Sequence, residues 1–457
     1  MTIELSNSNK IIYSGGEKLS TVEIKDIVKN YLGGDEFERL QKYDNYYESE
    51  NVFISDKVRD KMYRDKTPNN YVPTAYYSTV VDTMSGYMFD NVQYIPRTIQ
   101  DDNFAIALNE ILEANSNSVK EMVNGVRGLA YNKGVELVYT TGDGETNFDI
   151  KFANIDPRQM IGIYTDDIEP ELYCGIRVTT GSGDNLYKID VIYASEWQYY
   201  NMNNKDEVTE RQPAKTLYFK ECPVVIYNTN DMGTVSPYNK IIPYINVLDY
   251  LLTGNANDIE GLTDAILVLT KLLKDSDIKH MDELSALMGV EPDERAEYLQ
   301  KNSDPAFREY ASKLLMQEIH KHSHVVDFYS PDSGLSGQVS GKALKIRLFD
   351  MDMSSKRIEK VYKLGGEKKV RLITGLMQSK GIEVGEVDII YNRTLPSDFE
   401  DLAIVLKDIT FLSDETKIEL LSMDVEKEKL RLEEQSTANM ERFNLNNPVD
   451  DIEDEEI

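Results

Sequence analysis

His320, His322 and His324 stand two residues apart and invite a metal reading. A zinc site needs three or four donors converging on one point. Residues two apart on a helix point about 200° from each other, so only the outer pair shares a face. The same residues also suit a helix C-terminus, where positive charge is favoured. Asp101-Asp102 and Asp166-Asp167 are adjacent carboxylates that point apart in a strand or loop, as solvated turn residues do. Pro331-Asp332 begins like a nuclease core, yet no nearby acidic-x-Lys pair follows it on a strand. No GxxxxGK[ST] run cradles a nucleotide phosphate, and no G-x-S-x-G elbow presents a nucleophile. Cys174 and Cys222 are too few for a disulfide framework and stand outside metal-ligand spacing, so they read as free thiols of a reducing compartment. The residue types therefore predict no catalysis, no metal and no cofactor, and the emptiness favours a structural protein.

Three other features suit contact with a polymer better than bond-making. Asn246, Asp249, Thr253, Asn257, Glu260 and Asp264 are spaced three or four apart, one polar stripe on a helix. It is either an ordinary solvated face or the wet face of a channel, with Asp249, Asn257, Glu260 and Asp264 as the candidate channel residues. Residues 329–341 form a Gly/Ser-rich loop, with Ser333, Gly334, Leu335, Ser336, Gly337, Gln338 and Val339 at its centre. Behind it Lys342–Lys380 carries eleven Lys or Arg against four Asp or Glu. A mobile loop at the head of this basic run, where Lys342, Lys345 and Arg347 stand, suggests a part that touches something polyanionic or moving, or else an ordinary surface loop and core helix.

Helical spacing positions all of these. Ser236-Pro237 supplies an N-cap and a first-turn proline for a helix to about Leu262, with Ile245, Leu248, Leu252 and Ile259 apolar. Asp304-Pro305 repeats that signal for a helix to about His324. The two helices bracket an insert of about 40 residues with a short β-branched run, Ala265–Thr270. Leu344, Leu348, Met351, Ile358, Val361, Tyr362, Leu372, Ile373 and Leu376 give the basic run a helical period, roughly 55–60 Å if unbroken, with a kink expected at Gly365-Gly366.

Upstream, helices are predicted over Thr21–Tyr31, Leu40–Tyr47, Thr74–Phe89, Phe104–Asn115 and Val119–Gly134. From Val135 the period changes to two. Val135–Tyr139 and Phe148–Phe152 flank Thr141-Gly142-Asp143-Gly144 as a hairpin. Further strands are expected at Met160–Tyr164, Leu172–Val178, Lys188–Ala194, Trp197–Tyr200, Leu217–Phe219 and Val224–Tyr227, an antiparallel region of six or seven strands. Downstream, Glu386–Tyr391 reads as a strand, followed by helices Ser397–Phe411 and Ser413–Phe443 and an acidic tail expected to be disordered.

With 457 residues the chain has length for two to four structural units. A net charge of −30 argues against tight sequence-independent DNA binding, which needs Lys and Arg to displace counterions. It is compatible with a protein that surrounds DNA without adhering to it. Twenty-nine tyrosines suit surfaces with one wet side. No apolar run approaches the ~20 residues that span a bilayer, and Met1–Asn7 lacks a secretion signal, so no membrane partner is expected.

Several blocks resemble the portal proteins of tailed bacteriophages, in particular those of siphophages and myophages of Gram-positive hosts. They are Lys240–Ile245 with Leu248-Asp249, Ala256–Glu260, Asp264–Val268, Ser340–Lys345 and Asn392–Ser397. Tyr43–Ile54 and Val80–Phe89 are similar in position and type, so the likeness spans about residues 40–435. Glu48 and Asp90 stand where relatives often have Gly, which affects local turns.

The resemblance implies an α+β portal fold with an α/β wing, two-helix stem, small α/β clip, long kinked wing helix and helical C-terminal crown. Residues 1–236 would be the N-terminal wing, 237–262 the first stem helix, 263–303 the clip and 304–328 the second stem helix. Residues 329–341 would be the tunnel loop, 342–395 the long wing helix and strand, 396–443 the crown and 444–457 the tail. It implies a ring, typically of twelve subunits, at one capsid vertex in the virion, assembled in the host cytoplasm. Implied partners are other copies of the chain, double-stranded DNA in the channel, the large terminase, a head–tail adaptor, and the major capsid and scaffolding proteins. Alternative readings are another head–tail or minor capsid protein, or a metal-dependent hydrolase using the histidines.

Overall fold

Ser20 and Glu23 start the first helix as a capping box: the Ser20 hydroxyl accepts from the Glu23 N–H while the Glu23 carboxylate accepts from the Ser20 N–H. Such a cap is worth about 1 kcal/mol. The helix it starts, α1 (Thr21–Leu32), buries Ile24, Ile27, Val28 and Tyr31. The computed structural model describes residues 3–5, 10–15, 18–59, 69–97, 102–142, 148–230, 234–261, 266–269, 296–299, 305–327 and 346–393, with Ser413, Thr416 and Arg431. The chain divides into two units, Met1–Ser330 with Leu348–Thr394, and Pro331–Arg347 with Leu395–Ile457. In the second unit Ser413 accepts from the N–H of Thr416, a local turn. The helices and strands described below belong to the first unit.

The buried face of α1 lies on a seven-stranded sheet. Its strands are β1 (Ile3–Leu5), β2 (Ile11–Tyr13), β6 (Met160–Thr165), β7 (Leu172–Thr180), β8 (Asn185–Ile192), β9 (Glu196–Asn203) and β10 (Val208–Thr216), in the order β1-β2-β6-β7-β8-β9-β10. Neighbours are antiparallel except β2 and β6. Ile161, Ile163, Ile176, Ile189 and Val191 meet α1 in one core. A three-stranded sheet, β11-β4-β5, is made by β4 (Gly134–Thr141), β5 (Asp149–Asn154) and β11 (Val224–Tyr227). Val135, Leu137, Met160, Ile192, Cys222 and Val224 form the core between these strands and the larger sheet. Both cysteines are free and buried, and burial pushes both thiols up.

Helices fill the remainder: α2 (Asp35–Tyr47), α3 (Val52–Arg59), α4 (Tyr76–Phe89), α5 (Asp102–Ala114), α6 (Asn117–Tyr131), α7 (Ile242–Gly261), α8 (Pro305–Ser323) and α9 (Phe349–Ser379). A two-stranded pair joins β3 (Asn91–Pro96) to the distant β14 (Val387–Asn392), and another joins β12 (Ile266–Leu269) to β13 (Ala296–Leu299). The mixed helix-and-antiparallel-sheet class is as expected.

The differences have physical causes. Leu217–Phe219 is not a strand; the strand before it, β10, has the sequence VTERQPAKT. It is an edge strand, mostly exposed, with register shifts on either side of Gln212 close to Pro213. An edge needs no apolar alternation and tolerates proline, so periodicity does not find it. The three-residue β1 and β2 are too short for a period, and β3 was likewise without a sequence expectation. Helical structure runs unbroken through Gly365-Gly366. A Cβ on Gly365 would stand 2.5 Å from the Tyr227 ring, and one on Gly366 2.8 Å from Ile389. The pair lets α9 approach β11 and β14 closely. Apart from Ser413, Thr416 and Arg431, the two crown helices and the tail lie outside the described residues.

Candidate functional site

The polar stripe of α7 has a definite occupation. Asp249 is fully buried. Its Oδ1 accepts from the Thr74 N–H at 3.0 Å and the Thr74 hydroxyl at 2.6 Å, and its Oδ2 accepts from Asn51 at 2.8 Å. Thr253 accepts from the Val72 N–H at 3.2 Å, and Asn257 from the Asn70 N–H at 2.7 Å. Glu260 accepts from the Asn70 side chain at 2.6 Å, and Asn246 from Tyr46 at 2.7 Å. Alternate N–H groups, at residues 70, 72 and 74, thus meet side chains four apart on the helix. The match is geometric. Two extended residues advance about 6.6 Å and four helical ones about 6.0 Å, so a helix stripe stands in for a partner strand. This corrects the channel-face expectation for Asp249, which is committed to Thr74 and Asn51 inside the fold. Burial raises its carboxyl against the lowering effect of those hydrogen bonds. Glu260 remains exposed. Asp264 lies outside the described residues.

The second helix of the pair, α8, packs beside α7, with Arg308 bonded to Asn255 and Asp258. Tyr310 and Leu314, three and seven residues after Phe307, are 65% and 42% exposed, and Val247 on α7 is 51% exposed. A pair of helices about 30 Å long, apolar towards solvent in part, is the form these two elements take.

A charge cluster that the sequence reading passed over anchors α9. Lys369, Glu121 and Glu136 are each fully buried. The Lys369 ammonium donates to Asn117 at 2.6 Å, Glu121 at 3.2 Å and Glu136 at 3.1 Å. Tyr94 and Tyr362 donate to Glu121, and Tyr227 donates to Glu136 at 2.9 Å. The ammonium also lies 4.6 Å from the Phe152 ring centroid. Two carboxylates thus share one ammonium, away from water. Burial raises Glu136 more than Lys369 lowers it. Burial works against the charged Lys369, but Glu136 and Glu121 outweigh it and hold the ammonium raised. Tyr362 stacks on Tyr227 at 4.7 Å and lies 4.5 Å from Phe89, so aromatic rings enclose the charges. A signal was available: Lys369 stands seven residues after Tyr362 and seven before Leu376, on the apolar stripe itself.

The histidines take separate partners. His320 Nδ1 is 3.0 Å from the Val325 carbonyl, His322 Nε2 is 3.0 Å from the Tyr244 hydroxyl, and His324 Nδ1 is 2.8 Å from Asp350. Among the described residues no group of three or more His, Cys, Asp or Glu could hold a metal ion. Trp197 lies on β9, stacked on Tyr199, a sheet residue as expected. The loop 329–341, including Ser333 to Val339, and Lys342 and Lys345 lie outside the described residues. Arg347 is described and exposed.

Comparison with known proteins adds a family. A model described as "Phage portal protein, SPP1 Gp6-like" matches residues 32–442. The portal protein of Clostridium phage phiCD119 is 23% identical over 437 residues, covering 87% of this chain and 92% of that protein. A solved chain from the neck of an empty GTA particle, computed with C6 symmetry, covers 77% of this chain and 90% of its own length, at 12% identity and a TM-score of 0.42. One from the virion of a native gene transfer agent particle covers 86% and 94%, at 11% identity and a TM-score of 0.42.

Proposed function

The chain belongs to the SPP1 Gp6-like phage portal protein family, and from that premise we propose that it forms a ring at one capsid vertex. The ring is the conduit for genome packaging and ejection and the platform that docks the terminase and later the head–tail connector. The observation that carries this reading is the family match over residues 32–442, nearly the whole chain. Helices α7 and α8 are the stem, residues 263–303 the clip and 329–341 the tunnel loop, with α9 and β14 in the wing beside residues 1–236 and residues 396–443 in the crown. The ring has about twelve copies, stands in the virion, and is assembled in the host cytoplasm with the major capsid and scaffolding proteins. Among the described residues no helix is long and apolar enough to cross a membrane.

A conduit must let DNA slide, so strong phosphate binding is a disadvantage. A net charge of −30 and the absence of Lys and Arg from α7 (Ile242–Gly261) support a weakly adhesive bore. The Gly/Ser loop suits a constriction that follows the DNA surface, with Lys342, Lys345 and Arg347 meeting DNA or a neighbour's carboxylates. Portal proteins are structural. The chain carries no phosphate loop of its own, so ATP hydrolysis belongs to the partner motor and the chain itself needs no cofactor. Negative-stain imaging of the purified full chain tests the reading: rings with a central hole are expected. A uniform population of monomers at micromolar concentration, unaltered by salt, would overturn it.

A further inference from the structure

The three histidines left without a role in the portal reading share one location, the C-terminal end of α8, where four parts of the fold meet. We propose that His320, His322 and His324 form a proton-responsive clasp that tightens the junction of α7, α8 and α9 as the pH falls.

The chemistry is clearest at His320. The Val325 carbonyl can only accept, so His320 Nδ1 carries the proton and the neutral ring presents a bare Nε2. That nitrogen stands 3.9 Å from an Asp327 carboxylate oxygen, two acceptors facing one another. A proton on Nε2 turns the repulsion into an ion pair. The ring also meets the edge of Tyr76 on α4, centroids 6.0 Å apart.

His322 has one nitrogen for two neighbours. Its Nε2 is 3.0 Å from the Tyr244 hydroxyl of α7 and 3.2 Å from a Glu318 oxygen one turn back on α8. The neutral ring serves one of them well: it accepts from Tyr244 or donates to Glu318. The protonated ring donates to the carboxylate, lets the tyrosine oxygen accept, and places a cation over the Tyr244 ring, stacked at 5.1 Å. Lys321 shares Glu318, at 3.1 Å. His324 reaches furthest, donating from Nδ1 at 2.8 Å to Asp350 in the first turn of α9. The turn at residues 239–241, which also packs on α8, adds Lys240, whose side chain is exposed.

Each histidine therefore faces one carboxylate: Asp327 on the following segment, Glu318 on α8 and Asp350 on α9. The carbonyl end of α8 adds partial negative charge, which favours all three cations. Histidine is the side chain whose ordinary titration falls between pH 5 and 8. A proton gained by each ring closes its carboxylate contact as an ion pair. The clasp stands on these contacts and not on the portal reading.

Hydrogen exchange on the full chain at pH 8.0 and 5.8, expressed as protection factors corrected for intrinsic rates, tests it. Protection of amides in residues 320–327 and 349–353 is expected to rise about three- to tenfold at the lower pH, the size of several modest ion pairs acting together. In His320→Gln/His322→Gln/His324→Asn that rise is lost, Asn being chosen because His324 has a φ of 60°. Should this variant lose its cooperative melt, Glu318→Gln/Asp327→Asn/Asp350→Asn keeps the imidazoles and removes their partners, and it too loses the rise. A rise of wild-type size in either variant, or protection in the wild type that is flat or falls on acidification, overturns the proposal.

Discussion

Lys369 carries one positive charge into a site holding two carboxylates, and none of the three reaches water. Removing one partner from a buried ion cluster leaves uncompensated charge. Lys369→Met is thus expected to destabilise the chain by about 3–5 kcal/mol, whereas adding Glu121→Gln and Glu136→Gln to it restores most of the loss. Urea denaturation of the single and triple variants measures both. The pH dependence has a definite sign. The Glu136 carboxyl is raised in the folded chain by burial, with Lys369 opposing. Its contribution to stability is full below the unfolded glutamate value, near about 4.3, and is lost as pH rises through the higher folded value. Lys369, also raised, contributes stability that persists below the ordinary lysine range and is lost only in strong alkali. Glu136→Gln keeps an acceptor for Tyr227 and leaves one carboxylate for one ammonium. Its melting temperature is expected to fall less than that of the wild type between pH 5 and 9, which differential scanning fluorimetry reads directly.

At the scale of elements, α7 is both a helix and the partner of a segment that has none of its own. The N–H groups of residues 70, 72 and 74 depend on Asn257, Thr253 and Asp249. Asp249→Ala strands the Thr74 and Asn51 donors inside the fold. It is expected to cost about 2–4 kcal/mol, with early proteolysis near residues 69–75 and with rings still forming from the folded fraction. A channel-lining role would predict the reverse, unchanged stability with altered packaging. The spacing of the stripe was legible in the sequence because it follows from 3.6 residues per turn. What the stripe faces was not, since solvent, a bore and a strand-like segment all demand a polar helix face. The same limit applies to Gly365-Gly366, where two glycines signal either a bend or a close approach, and the Tyr227 ring and Ile389 select the latter.

At the scale of the whole molecule, the ring reading assigns a use to exposed apolar side chains. Val247, Tyr310 and Leu314 lie on the outward sides of α7 and α8, and burial against a neighbouring copy would remove them from water. Val247→Ser/Tyr310→Ser/Leu314→Ser is expected to leave the monomer's melting temperature within about 1 °C, because exposed sites contribute little to folding. The same variant is expected to shift the ring–monomer balance towards monomer at least tenfold, read by mass photometry. The sequence by itself determined the helix pair with its insert, the long helix behind the Gly/Ser loop, most central strands and the family, because periodicity, capping residues and block order are local or collinear signals. Tertiary structure alone decided the pairing of β3 with β14, the edge strand β10, the buried Lys369 cluster and the burial of Asp249. The strand pairing, the Lys369 cluster and the burial of Asp249 each join residues more than a hundred positions apart, which no local period encodes, while β10 is an exposed edge that needs no apolar alternation.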